Sequence, residues 1–181
     1  MNRTLTIIMC GLLLALPVQA APKAVKNFTP GARGTVLLFV ASGCPCMDAH
    51  RLMVKSLLSK SQNTGINFYC IFSNEGESRV LIDHFFNQIG WDMPYIVDAS
   101  GKLADRYNAT HTPEAIVLDP ALQMVFRGPI DDSSRNLGRV TQAYLQDALH
   151  DIQTGQPVRV ADVQPTGCWI VTKNGIRLMG L

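Results

Sequence analysis

Apolar runs and segments of helical periodicity alternate along the first half of the chain. Residues 35–41 (TVLLFVA) and 66–72 (INFYCIF) are mostly apolar and rich in β-branched or aromatic side chains, which is typical of strands buried on both faces of a sheet. Residues 44–60 and 78–90 instead repeat apolar side chains at helical spacing, which predicts two helices. Their predicted buried positions are Ala49, Leu52, Met53, Leu57 and Leu58 in the first helix, and Leu81, Phe85 and Ile89 in the second.

Shorter elements follow in the second half. A strand at residues 95–97 and a helix at 103–107 precede two strands, at 115–119 and 124–128, which a short turn joins. A last helix is predicted at residues 134–153. Its apolar positions are Leu137, Val140, Tyr144, Ala148 and Ile152. This order of elements predicts an α/β fold, in which a mixed central sheet is flanked by helices and followed by an extended C-terminal tail.

The N-terminal residues have the pattern of a secretory signal. Arg3 precedes an apolar run at residues 5–16 and a small-residue cleavage pattern at residues 18–20. The run is too short to span a bilayer comfortably, so we predict cleavage and not a retained anchor. The predicted divisions are a signal peptide at 1–20, a domain at 21–155 and a tail at 156–181 that carries Cys168. We expect an exported protein without an integral membrane segment after cleavage, periplasmic if the source is a Gram-negative bacterium.

Charge and cysteine content narrow the function further. The net charge is +2 without any basic cluster, which gives no support for a nucleic-acid partner. Of five cysteines, Cys10 leaves with the predicted signal. The remaining four are Cys44, Cys46, Cys70 and Cys168. An oxidising compartment allows any of their three complete pairings, including a structural bridge between the last two.

The segment SGCPC, at the end of the first predicted strand, is the strongest chemical signal. Cys44 is expected at or just before a helix start, with Pro45 as the first helical residue. Free backbone N–H groups and the positive end of the helix dipole favour a thiolate there, so we predict Cys44 as the nucleophile. Its partner is either Cys46, through a strained and labile bond, or Cys168 on the tail. Cys70 is predicted to be a buried, inert thiol.

Several motifs together resemble a known superfamily. They are FVASGCPC at 39–46, THTPEAIVLD at 110–119, MVFRGPIDD at 124–132, YLQDALHDIQTGQPV at 144–158 and PTGCWI at 165–170. The chain is similar, over about residues 25–170, to the redoxin branch of the thioredoxin-like superfamily. It resembles secreted proteins with an alkyl hydroperoxide reductase/thiol-specific antioxidant (AhpC/TSA) domain. The resemblance implies a thioredoxin fold, a cis Pro113 beside the active-site cysteine, and a Thr112 backbone that binds peptide; Trp169 is a further candidate for lining the site.

The chain departs from the patterns of this superfamily at three positions. Met47 stands where a thioredoxin has its second cysteine. Ala41 and Leu37 stand where a peroxiredoxin has the threonine or serine and the proline that precede its reactive cysteine. The groups that polarise a peroxide are therefore missing, and peroxidase activity is predicted to be weak.

A copper carrier is an alternative from another functional class. Cys44, Cys46 and Met47 offer sulfur ligands, and His50 follows one helical turn later. This set suits Cu(I). His111, two residues before the predicted cis proline, is a further possible ligand. Against a carrier, His50 is also explained as a solvated side chain and Met47 as part of the core.

The sequence thus predicts an exported thiol–disulfide oxidoreductase that uses Cys44 with Cys46 or Cys168. Its expected partners are protein thiols and disulfides together with a redox partner that the sequence does not identify. No organic cofactor is implied. The alternatives are a Cu(I) carrier and, third, a thiol peroxidase. Beside the site, Glu114 is expected at the surface, and Asp131 with Asp132 is expected in a turn or helix cap.

Overall fold

The computed structural model describes residues 22–133, 139–173 and 175–176. Within these ranges the helices are α1 (Pro45–Ser61), α2 (Arg79–Ile89), α3 (Lys102–Tyr107) and α4 (Tyr144–Gln153). The strands are β1 (Gly34–Val40), β2 (Ile66–Phe72), β3 (Tyr95–Val97), β4 (His111–Thr112), β5 (Glu114–Leu118), β6 (Met124–Gly128), β7 (Cys168–Trp169), β8 (Val171–Thr172) and β9 (Gly175–Ile176). The predicted signal peptide lies outside the described residues.

Five strands form one mixed sheet in the order β3-β2-β1-β5-β6. β1, β2 and β3 run parallel, while β5 is antiparallel to both β1 and β6. All seven residues of β1 are buried, because its alternate side chains enter two different cores. This central, doubly covered position explains why β1 has a continuous apolar sequence. The mixed sheet and its helices confirm the predicted fold class.

The two faces of the sheet have separate cores. On one face, α1, α2 and α4 pack over alternate β1 side chains and over an aromatic group from β2, α2, β3 and the loop between α2 and β3. That group is Phe72, Phe85, Phe86, Trp91 and Tyr95, whose rings meet mostly edge to face. On the other face, α3 covers Leu37, Phe39 and Ile71. The carboxyl end of β1, which leads into Cys44, is therefore covered on both faces of the sheet.

The buried face of α1 differs from the predicted one. Leu52 was expected inside, but its side chain is 65% exposed. The buried positions are Cys46, Met47, His50, Val54, Leu57 and Ser61. Two of these, His50 and Ser61, are polar. A prediction from apolar spacing alone therefore placed the buried face of α1 at a different angle around the helix. On α2 the predicted Phe85 and Ile89 are buried, whereas Leu81 is largely exposed.

The last helix is shorter than predicted. It begins at Tyr144, and residues 140–143 have no regular helical structure. Asp132 explains this start, because its carboxylate accepts the Thr141 backbone N–H at 3.0 Å and its own N–H binds the Gln142 carbonyl. The backbone groups of this segment are thus satisfied without a helix. Leu137, predicted on the same helix, lies outside the described residues.

The C-terminal tail returns to the domain. β7 pairs with β4, and β8 pairs with β9 as a small hairpin. Upstream, the Arg127 N–H donates to the Ala161 carbonyl, and the Val163 N–H donates to the Arg127 carbonyl. The tail therefore runs parallel beside β6, where Asp162 lies opposite Arg127, before it reaches the carboxyl end of β1. In the ranges given above, no helix is long and apolar enough to cross a bilayer.

Candidate functional site

Cys44 lies in the turn between β1 and α1. It is the N-cap residue of α1, with an extended backbone (φ −86°, ψ 115°), and Pro45 is the first helical residue. Proline suits this position because a first-turn N–H has no helical partner. No side chain caps the helix. The Cys44 sulfur is therefore at the positive end of α1, as the sequence indicates.

Three cysteine sulfurs meet at this turn. The Sγ atoms of Cys44, Cys46 and Cys168 all lie within 4.8 Å of one another. The closest pair is Cys44 and Cys168, at 2.7 Å. Cys44 and Cys46 are buried, whereas Cys168 is half-buried. A small rotation of either side chain would bring the closest pair to the length of a disulfide bond, about 2.05 Å.

The loop that contains Pro113 closes the site from the other side. The Thr112–Pro113 peptide bond is cis. The Cys44 thiol donates to the Thr112 carbonyl at 3.2 Å. β4, which ends at Thr112, pairs with the tail strand β7, so that Thr112 faces Cys168 and His111 faces Trp169. The backbone edge next to Cys44 is therefore occupied by the chain itself.

The chemical state of Cys168 differs from that of an exposed thiol. Burial, together with the neighbouring Cys44 sulfur, raises the pKa of Cys168 to about 12. Cys168 is therefore held as a neutral thiol beside Cys44 in the reduced protein. Cys70 is fully buried in β2, and burial raises its pKa as well. With Cys168 next to Cys44, the bridge to Cys70 that the sequence left open is not formed.

A buried histidine and aspartate lie behind the CPC segment. His50, only 2% exposed, has Nδ1 at 2.8 Å from the Cys46 carbonyl and Nε2 at 3.1 Å from Asp131 Oδ1. Burial alone would lower the pKa of His50, but the Asp131 and Cys46 hydrogen bonds outweigh burial and raise it. The other Asp131 oxygen is buried without a hydrogen-bond partner. The pair thus holds the first turn of α1 against the segment after β6.

A second buried carboxylate supports the cis-proline loop. Glu114 is fully buried, and its Oε2 accepts the backbone N–H groups of Thr110 and His111 at 2.7 and 2.9 Å. Burial raises the pKa of Glu114, although these bonds and Arg127 oppose the shift. His111 stacks on Trp169 with ring centroids 4.1 Å apart, and burial lowers its pKa. These contacts hold β4 and the Trp169 side chain in position.

The structure brings together only part of the copper-ligand set considered from the sequence. Within the described ranges, the group able to hold a metal consists of the three sulfurs and contains no histidine nitrogen. Both ring nitrogens of His50 have other partners, and Met47 is part of the apolar core. His111 Nδ1 is 2.8 Å from the Thr110 hydroxyl. The third sulfur of this group, beside those of Cys44 and Cys46, belongs instead to Cys168.

Sequence reasoning missed two residues of the site. Glu114 was expected at the surface but is buried, and Asp131 was expected only in a turn but also binds His50. Asp131 does accept the Ser133 N–H at 2.8 Å, as a turn residue would. The available signal for Glu114 was its position in an apolar strand, where a carboxylate needs buried donors. His50 carried a similar signal, four residues after Cys46 on the same helical face.

Two clefts meet at the Cys44 turn. One, of about 300 Å³, extends from Gly43 to Glu77 and Leu81, with Cys168 in its wall. The other, of about 220 Å³, lies between Pro45 and Phe85. A larger cavity of about 470 Å³ is at the opposite end of β2 and has no cysteine in its lining. Cys44 lines both of the smaller clefts.

Comparisons with other proteins support the fold. No protein-family model and no curated protein sequence matches the chain. An uncharacterized conserved protein from Geobacillus kaustophilus has a similar structure, with a TM-score of 0.73 and 27% identity over 88% of this chain and 93% of that one. A hypothetical protein from Sinorhizobium meliloti 1021 gives a TM-score of 0.72 and 22% identity over 87% and 97% of the two chains.

A third solved structure identifies the fold. A protein described as thioredoxin-like, in its oxidized form, aligns with a TM-score of 0.56 and 16% identity over 70% of this chain and 82% of that one. With the mixed sheet, the cysteine at the start of α1 and the cis proline opposite, this likeness defines the fold. The chain has the thioredoxin-like fold, as its sequence motifs predict.

Proposed function

We propose that this protein is an exported thiol–disulfide oxidoreductase in which Cys44 is the nucleophile and Cys168 is the resolving thiol. The observation that carries the proposal is the 2.7 Å contact between these two sulfurs at the start of α1. The thioredoxin-like fold and the cis peptide before Pro113 support it. The signal-like sequence of residues 1–20 supports export. The proposed partners are proteins with reactive thiols or disulfides.

The reaction transfers two electrons by thiol–disulfide exchange. The Cys44 thiolate attacks one sulfur of a substrate disulfide, the bond between the two substrate sulfurs breaks, and the second leaves as a thiolate. Cys168 then gives its proton to that departing thiolate and attacks the Cys44 sulfur, which releases the first substrate sulfur. The substrate is reduced, and the protein gains a Cys44–Cys168 disulfide. The same steps in reverse oxidise a substrate dithiol.

Cys46 is the alternative resolving thiol, and the geometry favours Cys168 over it. Cys46 lies two residues after Cys44 in the first turn of the same helix. A bond between them would close a very small ring and would need strained geometry. Cys168 instead approaches from another segment, with no covalent restraint on its distance.

Turnover of disulfides and peroxides by single-cysteine variants tests this function. With insulin as the substrate and one common reductant, Cys44→Ser should abolish disulfide turnover, Cys168→Ser should slow the release of the substrate, and Cys46→Ser should retain most activity. Peroxide consumption should stay low, because Ala41 and Leu37 carry no polar group and Leu37 faces the core on the far side of the sheet. Fast peroxide turnover without disulfide turnover would overturn the proposal.

A Cu(I) carrier remains the second candidate, since three sulfur atoms within 4.8 Å are a suitable ligand set for a soft cation. The expected ligands are Cys44, Cys46 and Cys168, without the histidines. With bathocuproine disulfonate as the competing chelator, the reduced protein should then retain one Cu(I), and Cys168→Ser should weaken its retention. His50→Gln should have no effect. Equal retention by the wild type and Cys168→Ser would exclude this carrier site.

A further inference from the structure

The tail strand, defined here as residues 167–170, lies on β4 in the manner of a bound peptide. It runs antiparallel to β4, with Cys168 opposite Thr112 and Trp169 opposite His111. The Ile170 N–H continues the pairing by donating to the Thr110 carbonyl at 2.8 Å. Because Cys168 is opposite Thr112, its sulfur reaches Cys44. A cysteine in a substrate peptide paired with β4 would present its sulfur at the same place.

Contacts on both sides hold the tail strand in position. Ile170 is fully buried in the core beneath the sheet. After it, the Val171 N–H donates to Asn74 Oδ1 at 2.8 Å, and the Val171 carbonyl accepts the Glu75 N–H at 2.7 Å. Only a short exposed segment of the tail separates these contacts from the residues that pair with β6. The arrangement is a tethered strand with one apolar anchor and not a loose terminus.

Gly167 makes the close approach possible. A Cβ atom at this position would lie 2.4 Å from the Thr112 carbonyl oxygen and 3.0 Å from its carbon. Its φ of +139° is also a conformation that other residues rarely adopt. Any side chain at Gly167 would therefore push the tail strand away from β4, directly beside the carbonyl that accepts the Cys44 thiol.

We propose that the tail strand is an internal substrate, which occupies the peptide-binding edge at Cys44 and must leave before a polypeptide can bind there. The inference rests on the proposed oxidoreductase function and adds its regulation and substrate class. Small disulfides reach Cys44 through the adjoining clefts while the tail strand stays in place. An extended, cysteine-bearing polypeptide pairs with β4 only in the open state. Oxidation to the Cys44–Cys168 disulfide locks the edge closed.

Peptide binding tests the occupancy without any redox step. The probe is a fluorescein-labelled peptide of residues 163–173 that carries Cys168→Ser, titrated into the reduced full-length chain. The apparent affinity for the probe peptide should rise in proportion to the fraction of molecules in which the tail strand has left β4. We therefore expect Gly167→Ala to bind the peptide about tenfold more tightly than the wild type. Ile170→Ala, which removes the anchor, should act in the same direction. The oxidised wild type should bind most weakly.

Gly155→Ala is the matched control. Gly155 also has a positive φ, of +73°, but a Cβ there meets no atom within 4 Å. The same substitution should therefore strain the backbone without touching β4, and peptide affinity should stay at the wild-type value. The inference is overturned if the wild type binds the peptide as tightly as Gly167→Ala, or if neither tail variant binds more tightly than Gly155→Ala. Circular dichroism verifies that each variant is folded.

Reaction rates separate this inference from the proposed function. The first substrate is a small aromatic disulfide, dithiobis(nitrobenzoate). The second is a mixed disulfide between the same nitrobenzoate thiol and the cysteine of a decapeptide. The initial rates with the two substrates are compared. Gly167→Ala should raise the ratio of the peptide rate to the small-disulfide rate about tenfold. An unchanged ratio with both rates measurable overturns the internal substrate and leaves the oxidoreductase intact. If Cys44 of the wild type reacts with neither disulfide, the proposed oxidoreductase function is wrong. The peptide-binding experiment then shows by itself whether the tail strand occupies β4.

Discussion

At the scale of single residues, the two sulfurs in closest contact have different environments. Cys44 is at the positive end of α1, whereas Cys168 is on a two-residue strand whose surroundings favour its neutral form. Since the thiolate is the attacking species, these environments favour Cys44 over Cys168 as the proposed nucleophile, although only 2.7 Å separates the two sulfurs. Under the proposed function, position relative to a helix, and not exposure, decides which one reacts first.

Alkylation of the reduced protein checks this asymmetry. Iodoacetamide at pH 7 should label Cys44 first, because burial and the Cys44 sulfur hold the pKa of Cys168 at about 12 and keep it protonated. Peptide mapping by mass spectrometry at short times measures the label at each cysteine. In Cys44→Ser, labelling of Cys46 and Cys168 should stay slow. Faster labelling of Cys168, which its greater exposure alone would favour, would contradict the assignment.

The His50–Asp131 pair makes stability depend on pH. The pKa of His50 is raised in the folded protein, so the protonated pair contributes stability below the unfolded value of about 6.5. That contribution is lost as the pH rises through the folded pKa of His50. Urea unfolding from pH 5.5 to 8 should therefore show a fall in the free energy of unfolding that His50→Gln removes. His84→Gln, the same substitution on the exposed side of α2, is the matched control.

At the scale of elements, strands were easier to predict than helix faces. β1 and β2 match the predicted ranges within one residue, because a strand buried on both faces needs an unbroken apolar run. The face of α1 was misjudged because its buried side includes His50, whose partner Asp131 is 81 residues away. Spacing within a helix does not contain that information. The start of α4 was missed for the same reason, since Asp132 binds the segment that precedes it.

A pair of identical substitutions on α1 checks the corrected face. Leu57 is 3% exposed and Leu52 is 65% exposed. Leu57→Ala should lower the free energy of unfolding by about 2–5 kcal/mol, because it removes buried methyl groups and leaves a cavity. Leu52→Ala should change it by less than about 0.5 kcal/mol. Chemical denaturation of both variants measures the difference, and equal losses would place both side chains in the core.

At the scale of the whole molecule, the tail completes the site. The sequence locates Cys44 at a strand-to-helix turn because local signals define such turns: an apolar run, a glycine and a proline at the helix start. It left open whether Cys168 reaches that turn, because a contact across 124 positions depends on how the tail pairs with β6 and β4. The tail therefore belongs to the proposed redox site, because it brings the Cys168 sulfur to 2.7 Å from that of Cys44.

This long separation predicts how oxidation changes stability. A Cys44–Cys168 disulfide would close a loop across 124 positions, and the restriction of the unfolded chain should raise the free energy of unfolding by about 5 kcal/mol. A Cys44–Cys46 bond closes too short a loop to restrict the unfolded chain in this way. Denaturation of the oxidised and reduced proteins should thus show a large difference that Cys46→Ser retains and Cys168→Ser abolishes. If the oxidised and reduced wild type instead differ little in stability, the bond is Cys44–Cys46 and the tail has no direct part in the redox step.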